Sequence, residues 1–159
     1  MSELAESISQ HGLLQPLLVR PLTLGGYQIV AGERRYRASR MAGLTEVPVI
    51  IKELTDTETM EIALIENLQR EDLSPVEEAL GYKALIDEHG FSQEEVAKSV
   101  GKSRPAVANA LRLLKLPDNI MEYLKDGKIS AGHARALLTL ENKELMTELA
   151  DERSEERRV

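Results

Sequence analysis

Residues 92–117, SQEEVAKSVGKSRPAVANALRLLKLP, decide the organisation of this 159-residue chain because they predict two short helices joined by a tight turn. Ser92 and Glu95 match the reciprocal cap that begins many helices. Gly101 supplies the turn, and the second helix begins at Ser103. Small or apolar residues stand where the two helices must pack, at Val96, Ala97, Val100, Val107 and Ala110. This spacing predicts a helix-turn-helix.

The distribution of charge favours DNA as the partner of this motif. The net charge of the chain is −7, yet residues 91–117 carry five basic residues and two acidic ones. A recognition helix reads bases from its first turns, so we expect Arg104 and Asn109 to contact base edges in the major groove. The other candidates for DNA contact are Gln93, at the first position of the motif, and Lys102, Ser103 and Arg112, placed for phosphates. An ordinary helical hairpin with solvated basic residues is the alternative.

The N-terminal part of the chain has a mixed pattern. Its apolar spacing and glycines predict a helix ending at Gly12, strands over 16–20 and 27–30, a helix over 33–42 and a strand over 47–51. From Thr55 onward only helical patterns occur. We therefore predict an α+β chain with a small mixed domain at 1–70 and an all-helical domain at 71–159, divided in the polar stretch 69–73.

A cluster of arginines opens the second predicted helix. Gly32 follows a predicted strand, and Arg34 and Arg35 come directly after it. Backbone N–H groups at a helix start attract an anion, and adjacent guanidinium groups add bidentate donors. The string has one glycine and no Gly-Lys-Ser or Gly-Lys-Thr, so it is neither a Walker A loop nor a dinucleotide fingerprint. The alternative is that these arginines pair with acids such as Glu33 or Glu46.

Two further polar positions are ambiguous by themselves. Glu66 and Asn67 end an apolar helical face, and a carboxylate beside an amide oxygen suits Mg²⁺ held together with substrate phosphates. A polar patch at a helix end is the alternative for this pair. His133 follows Ser130-Ala131-Gly132 and suits either a structural role or a phosphate contact.

Composition excludes several classes of function. The chain has no cysteine, which excludes disulfide scaffolds, thiolate zinc sites and a cysteine nucleophile. Three dispersed histidines disfavour a histidine metal site. One Phe and four Tyr are too few for an aromatic platform that stacks single-stranded bases. The sequence lacks a signal peptide and an apolar run of about 20 residues, so we predict a cytoplasmic, nucleoid-associated protein without a membrane partner.

Three strings in order resemble the ParB family of bacterial chromosome and plasmid partitioning proteins: GERRYRAS at 32–39, IENLQREDLSPVEEA at 65–79 and GKSRPAVANALRLLKLP at 101–117. A fourth, SISQHGLLQPLLVRP at 7–21, is similar to the family's first nucleotide-pocket motif. The resemblance covers nearly the whole chain. It implies an N-terminal domain of ParB and sulfiredoxin-like fold that binds CTP, followed by a helix-turn-helix domain that recognises a palindromic, centromere-like site called parS.

The resemblance also implies roles for individual residues. The positions that match the family's nucleotide-binding motifs are Gln15, Pro16, Gly32, Glu33, Arg34, Arg35, Glu66 and Asn67. Among them, Glu66 and Asn67 match the Mg²⁺-linked motif, and Glu33 and Glu66 match positions tied to CTP hydrolysis. Arg104 matches a base-reading position, and Gly132, with His133 beside it, matches a position near the DNA.

What the resemblance implies about mechanism is a CTP-switched clamp. In the family, CTP binding at parS lets two protomers engage through their N-terminal domains and slide along DNA, and slow CTP hydrolysis reopens the clamp. Family members are longer than this chain, so we expect the segment that contacts a ParA-type ATPase and the C-terminal dimerisation domain to lie outside it.

Two alternatives belong to other classes. The first is a sequence-specific adaptor, like the nucleoid-occlusion relatives called Noc, that keeps the fold without nucleotide chemistry. The second is an enzyme on the same N-terminal fold, as in the sulfiredoxins or the free-serine kinases. A sulfiredoxin needs a cysteine, which this chain lacks, and a stand-alone kinase has no need of a helix-turn-helix.

Overall fold

A computed structural model describes residues 2–140 and 143–156. The chain divides into two compact units, Met1–Glu66 and Asn67–Val159. The elements in chain order are α1 Ser2–His11, β1 Leu17–Pro21, β2 Tyr27–Ala31, α2 Glu33–Met41, β3 Val49–Ile51, α3 Asp56–Leu68, α4 Pro75–Asp87, α5 Gln93–Val100, α6 Arg104–Leu113, α7 Asp118–Lys125, α8 Ala131–Leu137 and α9 Lys143–Glu156. The predicted α+β class is confirmed, whereas the domain ranges 1–70 and 71–159 stay a prediction.

The first unit contains a three-stranded sheet, α1, α2 and most of α3. Its strand order is β2-β1-β3, with β1 antiparallel to β2 and parallel to β3. Side chains alternate across a strand, and Leu17 and Val19 share the buried face of β1. Ala5, Ile8 and Ala38 form a small core between α1 and α2. The predicted order helix, strand, strand, helix, strand is therefore confirmed.

The third strand is shorter than predicted and is exposed. It covers Val49–Ile51 instead of 47–51. Pro48 has no N–H to donate to a ladder, and its carbonyl accepts a single bond from the Leu17 N–H at 3.0 Å. The side chains of β3 remain 41%, 50% and 52% exposed in chain order. Because β3 has a neighbour only in β1, its outer edge is unpaired within the described sheet.

The second unit is entirely helical in its described part, and serine caps set its helix starts. Ser74 and Ser92 each accept a bond from the backbone N–H three residues on, while the glutamate there accepts from the backbone N–H of the serine. Both capping boxes arise from sequence spacing alone. The larger core cluster of this unit comprises Val76, Leu113, Leu116, Ile120, Leu124, Ile129, Ala134, Leu137, Met146 and Ala150.

The predicted helix-turn-helix is present in α5 and α6. Gly101 ends α5 at φ 69°, the left-handed conformation that glycine adopts without a Cβ penalty. Val96, Ala97, Val100, Val107 and Ala110 are all buried, as the spacing requires. Among the described residues, no helix is long and apolar enough to cross a membrane.

Candidate functional sites

The start of α2 differs from the capped helices of the chain. Gly32 is its N-cap residue, at φ 104°, and offers no side-chain cap to the first turn. The first N–H groups of a helix have no intrahelical partner, so this end presents donors and the positive end of the dipole. A Cβ built on Gly32 would lie 2.7 Å from Leu17 Cδ2. Glycine is therefore required here both by conformation and by contact with the core.

The two adjacent arginines of α2 have different surroundings. Arg34 is exposed, and within residues 2–140 and 143–156 no hydrogen bond, ion pair or ring contact is described for it. Arg35 is half-buried, and its Nη1 donates to the carbonyl oxygens of Gln15 at 3.1 Å and Pro16 at 2.7 Å. The structure thus brings three of the predicted nucleotide residues together with Gly32.

Glu33 pairs with Arg37, four residues along the helix, at 3.0 Å. The alternative prediction of arginine–acid pairing therefore describes Arg37, while neither Arg34 nor Arg35 has an ion pair among the described residues. An exposed pair of this kind contributes little to stability. The Glu33 carboxylate lies at the start of α2. Its role in CTP hydrolysis stays a prediction.

Glu66 and Asn67 lie near the end of α3, and both are exposed. Glu66 is the last residue of the first unit and Asn67 the first of the second. No hydrogen bond or ion pair between Glu66 and Arg34 or Arg35 is described. Among the described residues, no group of three or more His, Asp or Glu side chains could hold a metal ion. The predicted Mg²⁺ role of this pair stays a prediction.

The second candidate site is the surface around α6. Ser103 caps α6, accepting from the Ala106 N–H at 3.2 Å, so the helix start is satisfied by its own side chain. Three basic side chains around this helix are exposed, and the described part of the chain gives none of them an ion pair: Lys102, Arg104 and Arg112. Cations without an internal partner are available to an external anion.

The remaining predicted DNA residues are less exposed or belong to another helix. Gln93 is half-buried at the start of α5. Asn109 is half-buried and lines a cavity of about 350 Å³ whose walls come from α4, α6 and α8. Gly132 and His133 are exposed in the first turn of α8, which packs against α6. The Ser130 hydroxyl accepts from the His133 N–H at 3.1 Å and caps this turn.

One residue of this surface was not identified from the sequence. Arg135 is exposed, lines the same cavity as Asn109 and has no ion pair among the described residues. Its position two residues after His133 was the only indication available in the sequence. The cavity also contains Glu78, whose Oε1 accepts from the Tyr82 hydroxyl at 2.7 Å. Burial raises the pKa of Tyr82, and the hydrogen bond and charge of Glu78 raise it further, so the phenol remains a donor.

Both halves of the chain match known protein families. Residues 1–68 match the ParB N-terminal domain, and residues 71–158 match the ParB HTH domain. The chromosome-partitioning protein Spo0J of Thermus thermophilus is 67% identical over 141 residues, which are 89% of this chain and 52% of that protein. Stage 0 sporulation protein J of Bacillus subtilis is 57% identical over 143 residues, 90% of this chain and 50% of that protein. The chain spans about half the length of these curated relatives.

Two solved structures of one relative were compared. The C-terminally truncated ParB of Caulobacter crescentus, complexed to the centromeric parS site, is 47% identical and superimposes with a TM-score of 0.85 over 98% of this chain and 81% of that one. The same protein complexed with CTP-gamma-S is 48% identical over 96% of this chain and 84% of that one, with a TM-score of 0.43.

Proposed function

This chain belongs to the ParB family, and on that premise we propose that it binds parS DNA through α6 and CTP through the start of α2. The observation that carries the proposal is the pair of unequal helix starts. One is serine-capped and surrounded by exposed basic side chains, and the other is uncapped and arginine-rich. These are the arrangements that suit a base-reading helix and an anion site, respectively.

DNA binding is supported by the position of the basic residues. Arg104 is the first residue of α6, and its planar guanidinium can donate to both acceptors of a guanine edge. Lys102 and Arg112 supply charge for the phosphates that fix the register of the helix on the duplex. The relative with a TM-score of 0.85 was solved on its parS site. We therefore assign the same class of DNA to this chain.

CTP binding is supported by the match of GERRYRAS to the family's triphosphate motif and by the form of the α2 start. Gly32 leaves the first-turn N–H groups of α2 without a side-chain cap, so they can donate to phosphate oxygens. Arg34 adds an exposed guanidinium with no described internal partner. Gln15 and Pro16, which Arg35 holds near α2, form the adjoining wall.

Slow CTP hydrolysis is the finer part of the proposal. Glu66 and Asn67 offer carboxylate and amide oxygens, a donor set that fits Mg²⁺ when phosphate oxygens and water complete its shell. When bound, Mg²⁺ neutralises charge on the phosphates. Glu33 and Glu66 are the carboxylates we assign to hydrolysis. Glu66→Gln should leave CTP binding intact and stop phosphate release, whereas Glu122→Gln, an exposed change on α7, should leave both unchanged.

Self-association completes the proposed cycle. In this proposal, CTP and parS together favour engagement of two copies through their N-terminal units, giving a clamp that spreads along DNA. We also propose a ParA-type ATPase as a partner of the protein. Through these steps, the chain would act in chromosome or plasmid segregation.

The first experiment is calorimetric titration with CTP, ATP and GTP in Mg²⁺, with a parS duplex, a scrambled duplex or no DNA. We expect the chain to bind CTP and neither ATP nor GTP. The parS duplex should strengthen CTP binding, and the scrambled duplex should not. DNA affinity is compared at one fixed salt concentration, since phosphate contacts make it strongly salt-dependent. Retained parS binding without nucleotide binding would establish the Noc-like adaptor instead.

A further inference from the structure

Arg35 of α2 contacts the loop between α1 and β1. Its Nη1 lies 2.7 Å from the Pro16 carbonyl oxygen and 3.1 Å from that of Gln15, twenty residues before it in the chain. One guanidinium nitrogen thus donates to two consecutive carbonyls. Arg34, the adjacent residue, has no described contact within residues 2–140 and 143–156.

The side chain of Arg35 reaches the loop by passing directly over Gly32. A Cβ built on Gly32 would lie 3.2 Å from Arg35 Nη2 and 3.3 Å from Arg35 Cζ. The backbone of Arg35 is held as well, since the Ser39 hydroxyl, which is buried, donates to its carbonyl oxygen at 2.8 Å. The guanidinium therefore occupies a defined place between the helix start and the loop.

The loop is anchored at both ends, and at its start Leu13 packs against the core cluster of Ala5, Ile8 and Ala38. Gly12 N–H donates to the Ile8 carbonyl at 2.8 Å, and Leu17 N–H donates to the Pro48 carbonyl at 3.0 Å. For residues 13–16, the bonds from Arg35 are the only hydrogen bonds described in the structure. Leu14 is 83% exposed, so its packing does not hold the loop. Hydrogen bonds from a charged donor are about twice as strong as neutral ones, and here they fix two consecutive carbonyls, those of Gln15 and Pro16.

We propose that Arg35 is a positioning residue that holds residues 14–16 in place as a preformed wall of the nucleotide pocket, while Arg34 supplies the contact to phosphate. The proposal rests on the nucleotide-binding function proposed above. A loop that is ordered before the nucleotide binds contributes to the binding of the nucleoside as much as to the binding of its phosphates. Loss of this support with the positive charge kept should therefore weaken mono-, di- and triphosphates by the same factor.

The first test needs no nucleotide. Backbone ¹⁵N relaxation of the free chain should give order parameters for Leu14 and Gln15 near the rigid value of about 0.85, falling below about 0.6 in Arg35→Ala. Arg34→Ala is the matched control and should leave them unchanged. Arg35→Lys, which keeps the charge without the planar fork, should give intermediate values. Unchanged order parameters in a folded Arg35→Ala chain would overturn the proposal.

The second test separates the roles of the two arginines. Wild type, Arg34→Ala and Arg35→Ala are titrated with CMP, CDP and CTP. Removing Arg34 should cost little with CMP and roughly tenfold to a hundredfold with CTP, the range for a charged hydrogen bond. Arg35→Lys, which is titrated alongside them and keeps the positive charge, should lose a similar factor for all three nucleotides. A loss in Arg35→Lys that grows with phosphate number would instead make Arg35 a phosphate ligand.

The two failures are distinguishable. If the wild-type chain binds no cytidine nucleotide, the proposed function fails and the pocket role of the loop fails with it. The relaxation measurement still decides whether Arg35 orders residues 14–16. Thermal unfolding of each variant, with a single transition near that of wild type, excludes global unfolding as the cause of lost order.

Discussion

The starts of α2 and α6 both place arginine at the beginning of a helix, yet they expose different chemistry. At α6, Ser103 satisfies the first turn, so the helix start is closed and Arg104 is its outward contact group. At α2, Gly32 leaves the turn without a side-chain cap, so the backbone donors themselves are available. A capped helix start suits a helix that contacts DNA bases through its side chains. An uncapped start at glycine suits a helix whose backbone N–H groups bind an anion.

The largest expected effect is that of adding a methyl group at the α2 start. In Gly32→Ala the Cβ would meet Leu17 Cδ2 at 2.7 Å, and the residue would have to keep φ 104°. Positive φ and overpacking together should lower the free energy of unfolding by roughly 2–5 kcal/mol. Chemical denaturation measures this change.

Gly25→Ala is the matched control, because Gly25 also has a positive φ, at 91°, but a Cβ there meets nothing within 4 Å. It should cost only about 1–2 kcal/mol. Equal losses in the two variants would mean that the contact with Leu17 is unimportant.

The second largest expected effect is that of removing Arg104, the exposed arginine at the start of α6. Arg104→Ala should cost roughly 1–3 kcal/mol of specific DNA binding and relax preference at one base position. Lys125→Ala, which removes an exposed positive charge from α7, should leave base preference unchanged. Competition binding against single-base variants of parS measures both. Unaltered preference in Arg104→Ala would remove this residue from base recognition.

Removal of the serine cap at α6 should have a smaller effect. Ser103→Ala leaves the Ala106 N–H without its side-chain acceptor and should lower the free energy of unfolding by about 1 kcal/mol. Ser103→Asp restores an acceptor at the same place and should recover that loss. The same Asp adds negative charge beside DNA, so it should weaken parS binding while stabilising the fold.

The smallest effect is the acid sensitivity of a neighbouring cap. Hydrogen bonds from the backbone and side chain of Ser92 hold the pKa of Glu95 below its ordinary value. This stabilisation is fully present above the pKa that Glu95 has in the unfolded chain. It is lost as the pH falls through the lower pKa that Glu95 has in the folded chain. The melting temperature of wild type should therefore exceed that of Glu95→Gln at neutral pH, with the difference shrinking in acid.

Local features of the fold were predictable because they depend on neighbours a few residues apart. The capping boxes at Thr55, Ser74 and Ser92 follow from a hydroxyl and a carboxylate three positions apart, and all three are present. The length of β3 is harder to predict, because its β-branched residues indicate a strand over 47–51 whereas Pro48 has no N–H for the ladder and the strand covers Val49–Ile51.

The partners of the arginines were harder to predict for a different reason. Arg37 finds Glu33 one helical turn away, a pairing that spacing makes visible. Arg35 finds carbonyls twenty residues distant, and backbone acceptors leave no trace in residue type. The place of Asn109 beside a cavity likewise depends on how α4, α6 and α8 pack, which spacing within α6 does not specify.

The open edge of β3 has a practical consequence for handling the chain in solution. Three consecutive β-branched residues without a charge, each at least two-fifths exposed, form a template on which another strand can add. At the concentrations used for calorimetry and relaxation, this edge is where slow aggregation should begin. Ile50→Lys places a charge on the strand without touching the buried Leu17 and Val19 face, and should keep samples monodisperse.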